Sequence, residues 1–268
     1  MIRDITLGQY FPGNSAVHQL DPRTKLVLLV VYIAALFTAV NWISYCIVLA
    51  FLALAIAISR IPVRSILHGM KPLVMILIFT GILNIFFTPG ETQILSFWKI
   101  RIYLEGIVRA LFMTARIFML ITGTFLLTYT TSPISLTDGL ESLLSPLKKL
   151  RFPVHELSMM MCIAMRFIPT LIEETDKIMS AQKSRGADFE SGKLMDRVRA
   201  LIPILVPLFV GSFRRADELA TAMECRCYHG GDGRTKMKQL HYASGDLAAF
   251  AIGACLLASV ILLRQFGL

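Results

Sequence analysis

Five long apolar runs alternate with polar breaks along this chain, and one extended segment follows a different rhythm. The runs cover residues 26–40, 43–59, 73–87, 106–129 and 247–263. A helix needs about 20 apolar residues to cross the hydrocarbon core, and the shorter runs reach that length by extending into their flanks. They predict five spanning helices. Between the fourth and fifth, residues 132–244 are charged, and apolar positions recur there every three or four residues. This insert predicts three helices. The first covers residues 134–150, opened by Ser132-Pro133 and with Pro146 near its end. The second covers 154–185, with Leu157, Met161, Ala164, Met165, Ile168, Leu171, Ile172, Ile178 and Met179 on its apolar face. The third covers 193–228. Pro169 is expected to kink the second helix, and Pro203 and Pro207 to bend the third. Gly186 is a natural stop after the second. The run Gly230-Gly231-Asp232-Gly233 is a natural stop after the third. The two long helices measure roughly 45–50 Å each at about 1.5 Å per residue. Their apolar middles and charged ends suit helices at a membrane interface with tips in the cytoplasm.

The expected fold class is therefore all-α, a polytopic membrane protein. Residues 1–131 would hold the first four transmembrane helices, 132–244 the interfacial helix domain, and 245–268 the last span. Hydrophobic residues make up 55% of the 268, and the mean hydropathy is +0.65, both above the range of soluble domains. The net charge is +9. Cytoplasmic loops of membrane proteins collect Lys and Arg, so this excess does not call for nucleic acid. Residues 60–71 carry Arg60, Arg64 and Lys71 without an acid and are expected inside. Residues 88–105 balance Lys99 and Arg101 against Glu91 and Glu105 and can lie outside. With Arg3, Arg23 and Lys25 holding the N-terminus inside, five spans leave the insert inside and the C-terminus outside. Residues 1–24 have no basic start followed by an apolar core and do not read as a cleaved signal.

The chemistry of an active site is missing. No GxxxxGK[ST] phosphate loop occurs, and the glycine run at 230–233 lacks the lysine that reaches phosphate. The protein is not expected to hydrolyse ATP itself, or to need a cofactor. The five cysteines suggest no disulfide framework. Cys225 and Cys227 resemble a fragment of a metal site, but residues two apart on a helix point about 200° apart, so no metal is expected there. Arg116 falls mid-span, where a charge is costly. It could mark an ion path. The first three spans supply no acid for a relay, and this favours a structural arginine bonded to loop carbonyls. The histidines His18, His68, His155, His229 and His241 are scattered, without an acidic partner at motif spacing. The rival class, a membrane enzyme acting on lipid or isoprenoid substrates, would need such pairs.

Two arginines stand out. Ser184-Arg185-Gly186 and Cys225-Arg226-Cys227 each close a long helix with one arginine between small residues. A cation near a helix C-terminus complements the helix dipole, which could explain either one alone. A matched pair on adjacent helices is better explained as two contacts, since the guanidinium offers a fixed fork of donors to a partner.

The whole chain resembles the transmembrane coupling (T) subunit of energy-coupling factor (ECF) transporters. The likeness rests on several runs. They are Gly8–Gly13, Leu20-Asp21-Pro22-Arg23-Thr24-Lys25, Leu143-Leu144-Ser145-Pro146-Leu147-Lys148-Lys149-Leu150, Met165-Arg166-Phe167-Ile168-Pro169-Thr170-Leu171, Ala181–Asp188 and Phe213–Arg226. The resemblance implies a non-catalytic subunit whose two long coupling helices cross. Each would end in an Ala-Arg-Gly-type motif docked on one of two ATP-binding-cassette ATPases. A small substrate-binding membrane subunit would complete an importer of a vitamin, metal ion or other micronutrient. By position the docking residues are Ser184, Arg185, Gly186, Cys225, Arg226 and Cys227. Ser184 and Cys225 stand where the family has Ala, and Cys227 where it has Gly.

Overall fold

A computed structural model describes residues 10–90, 92–97, 100–150, 152–187, 189, 194–230 and 239–265. Nine α-helices are described, α1 Ala16–Gln19, α2 Pro22–Thr38, α3 Trp42–Ser59, α4 Val63–Phe87, α5 Leu104–Thr130, α6 Pro133–Leu144, α7 Val154–Ser184, α8 Leu194–Cys225 and α9 Ser244–Gln265. The chain divides into two compact units, Gly8–Leu140 with Leu240–Leu268, and Glu141–Gln239.

The first unit is built inside out, as a bilayer demands. Helices α3, α4, α5 and α9 are long and apolar enough to cross a membrane. Helix α2, at 17 residues, is the shortest of the apolar helices and packs against α5 and α9. Apolar side chains of α4, among them Met75, Ile78, Phe79 and Phe86, face outward. The interior holds Tyr32, Leu36, Tyr45, Val48, Met119 and Val260, and a second cluster gathers Ile66, Met70, Leu77 and Tyr129. The Tyr32 hydroxyl donates to the Met119 carbonyl at 2.9 Å, which satisfies the one polar atom its ring brings into the core.

The polar ends of this unit are tied together, and this gives the Leu20–Lys25 run a structural role. Asp21 caps α2 by accepting from the Arg23 N–H at 2.8 Å. The Arg23 guanidinium grips the same carboxylate and donates to the Leu240 carbonyl at 3.0 Å, while lying 4.2 Å from the centre of the Tyr242 ring. Burial acts to raise the Asp21 carboxyl, but the Arg23 side chain and N–H outweigh it and hold it below the ordinary carboxylate range. Asp246, at 1% exposure, accepts from the N–H of Asp21 at 2.9 Å and of Ala243 at 2.8 Å. The Lys25 ammonium donates to the carbonyls of His18 and Thr130 and to the Thr131 hydroxyl. The start of α2, the end of α5 and the start of α9 therefore meet on one side of the bundle.

Arg116 bonds to the end of a neighbouring helix. Its guanidinium donates at 3.0 Å to the Ala39 carbonyl, at the C-cap of α2, and lies 5.7 Å from the ring centres of Phe37 and Tyr45. A helix-terminal carbonyl is the acceptor most in need of a donor.

Several boundaries differ from the sequence reading. Residues 60–71 are not a loop. Arg60 is a left-handed C-cap of α3 (φ 56°), and α4 begins at Val63, ten residues before the apolar run. Lys71 and Pro72 lie inside α4 because Ile66 and Met70, upstream of the apolar run, are buried in the second cluster and extend the helix. Residues 88–105 contain a β-hairpin rather than plain loop. Strand β1 (Gln93–Phe97) pairs antiparallel with β2 (Ile100–Tyr103), with a bulge between Gln93 and Leu95. The helix expected over 134–150 ends at Leu144, and residues Ser145–Leu150 form a tighter 3-10 segment. Pro146 lacks an N–H, so the α-helical ladder cannot continue through it.

Candidate functional site

The second unit presents the two arginine motifs, and their local geometry is the same. In α7 the backbone passes from Arg185 (φ −86°, ψ 5°) to Gly186 in the left-handed region (φ 88°). The Gly186 N–H donates to the Lys183 carbonyl at 3.0 Å, and the Ala187 N–H reaches back to Gln182 at 3.0 Å. That pair of bonds is a Schellman cap, with Arg185 at the last position and glycine just beyond. In α8 the Cys227 N–H donates to Glu224 at 2.9 Å, and the Tyr228 N–H to Met223 at 3.1 Å. Cys227 takes the left-handed conformation at φ 56°. The third insert helix thus ends at Cys225 rather than near Tyr228, and a cysteine fills the turn where glycine is usual. Residues Cys225 and Cys227 are therefore not two steps along one regular helix, and the 200° separation does not describe them. Both thiols are free and exposed.

All six motif residues, Ser184, Arg185, Gly186, Cys225, Arg226 and Cys227, are exposed. Arg185 and Arg226 make no side-chain hydrogen bond or ion pair to another described residue, and Ser184 Oγ folds back on the Ser180 carbonyl at 3.1 Å. Each arginine thus stands at a helix tip with its donor fork presented to solvent. The cap bonds two of the last carbonyls of each helix, and the guanidinium adds a fork of donors beside them.

Cys227 bears a steric cost that Gly186 does not. A side chain in the left-handed region costs about 1–2 kcal/mol. We expect Cys227→Gly to stabilise the α8 tip by about 1 kcal/mol, slowing amide exchange in the last turn roughly fivefold. Gly186→Ala should speed exchange at the α7 tip. Unchanged exchange in Cys227→Gly would show that the cap carries no strain.

Helices α7 and α8 pack on one another. Arg215 pairs with Glu174 at their contact, whereas Arg214 faces outward and makes only a loose pair with Glu218 at 3.4 Å. Residues 163–171 of α7 and 212–223 of α8 line a common cavity of about 330 Å³. The N-terminal arm of α7 therefore lies beside the C-terminal arm of α8, and the two C-terminal arms, which carry Arg185 and Arg226, diverge. On α8 the large apolar residues Val198, Leu201, Ile202, Leu205, Val206, Phe209, Val210 and Phe213 are all exposed. Their spacing of three and four places them on one side of the helix.

One acidic partner escaped the sequence reading. His155 Nδ1 lies 3.3 Å from Glu141 Oε1, and the Ser158 hydroxyl donates to Glu141 Oε2 at 2.8 Å. Serine, histidine and glutamate meet here, yet the serine bonds the carboxylate, whereas a nucleophilic triad bonds it to the imidazole. The arrangement ties the end of α6 to the start of α7. Residues one helical turn apart on α7 share a face, so the His155/Ser158 spacing was the available signal, but nothing local pointed to Glu141.

Comparison with known proteins agrees with this architecture. Residues 13–237 match the family model CbiQ, described as cobalt transport protein. The chain is 51% identical over 264 residues to the energy-coupling factor transporter transmembrane protein EcfT of Ruminiclostridium cellulolyticum, covering 98% of each chain. It is 51% identical over 265 residues to the protein of that name from Clostridium kluyveri, again covering 98% of each. The Bacillus subtilis protein is 46% identical over 264 residues, covering 98% of this chain and 100% of the relative.

Proposed function

The chain belongs to the CbiQ cobalt transport protein family, and from that premise we propose that it is the energy-coupling membrane subunit of an ECF-type ABC importer. In this reading it carries the ATP-driven motion of two cytoplasmic ATPases to a small substrate-binding membrane subunit, for uptake of a vitamin or other micronutrient. Catalysis of ATP hydrolysis belongs to the partner chains. The observation that carries the reading is the pair of matching caps, each holding one exposed arginine at the end of a long helix. Ser184, Arg185 and Gly186 dock one ATPase, and Cys225, Arg226 and Cys227 the other. Divergent arms suit two separate docking clefts.

Residues 132–244 form the coupling-helix domain. The exposed apolar side of α8 supports a membrane-facing role, because a stripe of this length would be costly to leave in water. It is where the substrate-binding subunit and the bilayer meet the coupling helices. The chain lies in the cell membrane, with the N-terminus and coupling domain in the cytoplasm and the C-terminus outside. Arg60 and Arg64 support this orientation by clustering at the α3–α4 turn.

A photo-crosslinking residue at Ser184 or Cys225, introduced into the complex in intact cells, tests the reading. Adducts with ATP-binding chains are expected from both positions. A cysteine at Gln93, in a background stripped of native cysteines, should react with an impermeant reagent from outside. Adducts with no nucleotide-binding protein, from either tip, would refute the docking role.

A further inference from the structure

We propose that Glu174, Arg215 and Gly211 form the fulcrum on which the two coupling helices cross, and that they set the angle between two lever arms of equal length. The inference rests on the docking reading for what the arms deliver, but the crossing itself is a matter of geometry. Arg215 pairs with Glu174 across the α7–α8 contact, with both side chains less than a third exposed, at 29% and 27%. Gly211, one turn before Arg215, leaves the room that Glu174 occupies. A Cβ there would lie 3.2 Å from Glu174 Oε1, tight enough to push the carboxylate aside.

From this pair, eleven residues lead to Arg185 along α7 and eleven to Arg226 along α8. Each arm is thus about 16 Å long at about 1.5 Å per residue. The three helical prolines, Pro169, Pro203 and Pro207, all precede the fulcrum. Both arms beyond it keep an uninterrupted backbone ladder. A helix that can bend upstream and stays stiff downstream works as a lever. The cavity lined by residues 163–171 and 212–223 sets the N-terminal arm of α7 beside the C-terminal arm of α8, so the two docking arms lead away from each other.

An ion pair is suited to this place. Apolar contacts let packed helices slide, whereas a paired charge in a partly enclosed site fixes register, because shifting one helix leaves both charges uncompensated. Arg214, next in sequence, points outward to Glu218 and cannot serve. Glu174 and Arg215 are positioning residues: they touch neither ATPase nor substrate and act through the placement of Arg185 and Arg226.

Spin labels at Ser180 and Thr221, each six residues beyond the fulcrum, measure the angle directly. The full chain, its five cysteines replaced, is held in lipid nanodiscs and read by pulsed electron–electron resonance. A single narrow distance is expected for the unaltered fulcrum. Glu174→Gln and Arg215→Met should each lose that single peak, Gly211→Leu should shift it, and the exchange Glu174→Arg with Arg215→Glu should restore it. In the assembled complex, Glu174→Gln should keep its ATPases yet hydrolyse more ATP per substrate imported. The labelled Arg185→Ala/Arg226→Ala chain separates this proposal from the docking reading, since it should keep the wild-type distance whether or not ATPases bind. A narrow wild-type peak in both Glu174→Gln and Arg215→Met would overturn the proposal. So would a broad distribution in the exchanged pair, provided that chain melts like the wild type.

Discussion

Asp246→Ala is expected to lower the melting temperature of the membrane unit by roughly 10 °C, the largest stability effect of any single side chain outside the core. The carboxylate is buried at 1% exposure and accepts the backbone N–H groups of Asp21 and Ala243. Hydrogen bonds to a charged acceptor contribute about 1.5–3 kcal/mol each, and alanine would leave the Asp21 N–H buried without a partner. A loss of about 3–5 kcal/mol follows, and about 2–4 °C per kcal/mol is the ordinary conversion for a chain of this size. Asp246→Asn keeps one carbonyl acceptor and should fall about halfway. The contacts at stake join the cap of α2 to the start of α9, so the damage should be confined to the membrane unit. The tips of α7 and α8 should keep their amide exchange rates. A thiol-reactive melting assay in detergent reads the shift, and a wild-type melting point for Asp246→Ala would show that the Asp21–Asp246 tie carries no stability.

That tie also shows where sequence reasoning reaches its limit. Apolar runs set the helices of the membrane unit, since hydrocarbon selects every side chain it touches, and α3, α5 and α9 begin and end within a few residues of their runs. The stop of α7 was legible from Gly186, whereas α8 ends at Cys225, before the glycine run at 230–233 that was read as its stop. Contacts between residues far apart in the chain were not. Asp21 and Asp246 are separated by 225 positions, and Glu174 and Arg215 by the whole turn from α7 to α8. Long-range hydrogen bonds and ion pairs of this kind leave no period in the sequence. The Leu20–Lys25 run stood out only by resemblance, and its purpose became visible when Arg23, Tyr242 and Asp246 were seen together. Cys227 shows the converse. Its residue type does not announce a glycine-style cap, yet the local backbone bonds to Glu224 and Met223 close one.

The docking arginines carry the heaviest functional prediction. Arg185 and Arg226 sit at the last position of matching caps, exposed, with backbone closed around them. If each guanidinium enters a cleft on an ATPase, truncation leaves its partner groups buried and unpaired. Such losses cost about 2–5 kcal/mol each, which is roughly thirty-fold or more in affinity, since about 1.4 kcal/mol is tenfold. The helix-dipole account predicts something else. A cation at an exposed C-terminus contributes about 0.3–1 kcal/mol to its own helix and nothing to a partner. Lysine discriminates further, because it retains the charge but not the planar fork, so Arg185→Lys and Arg226→Lys should recover little of the binding.

The most direct measurement is therefore the affinity of the ATPase pair for the membrane chain held in nanodiscs, with insertion and melting checked for every variant. Each single alanine variant should bind about thirty-fold more weakly or worse, and Arg185→Ala/Arg226→Ala should capture neither ATPase while remaining folded in the membrane. Wild-type affinity for both ATPases in that double variant would mean that the arginines only complement their helix dipoles, and that coupling runs through another surface.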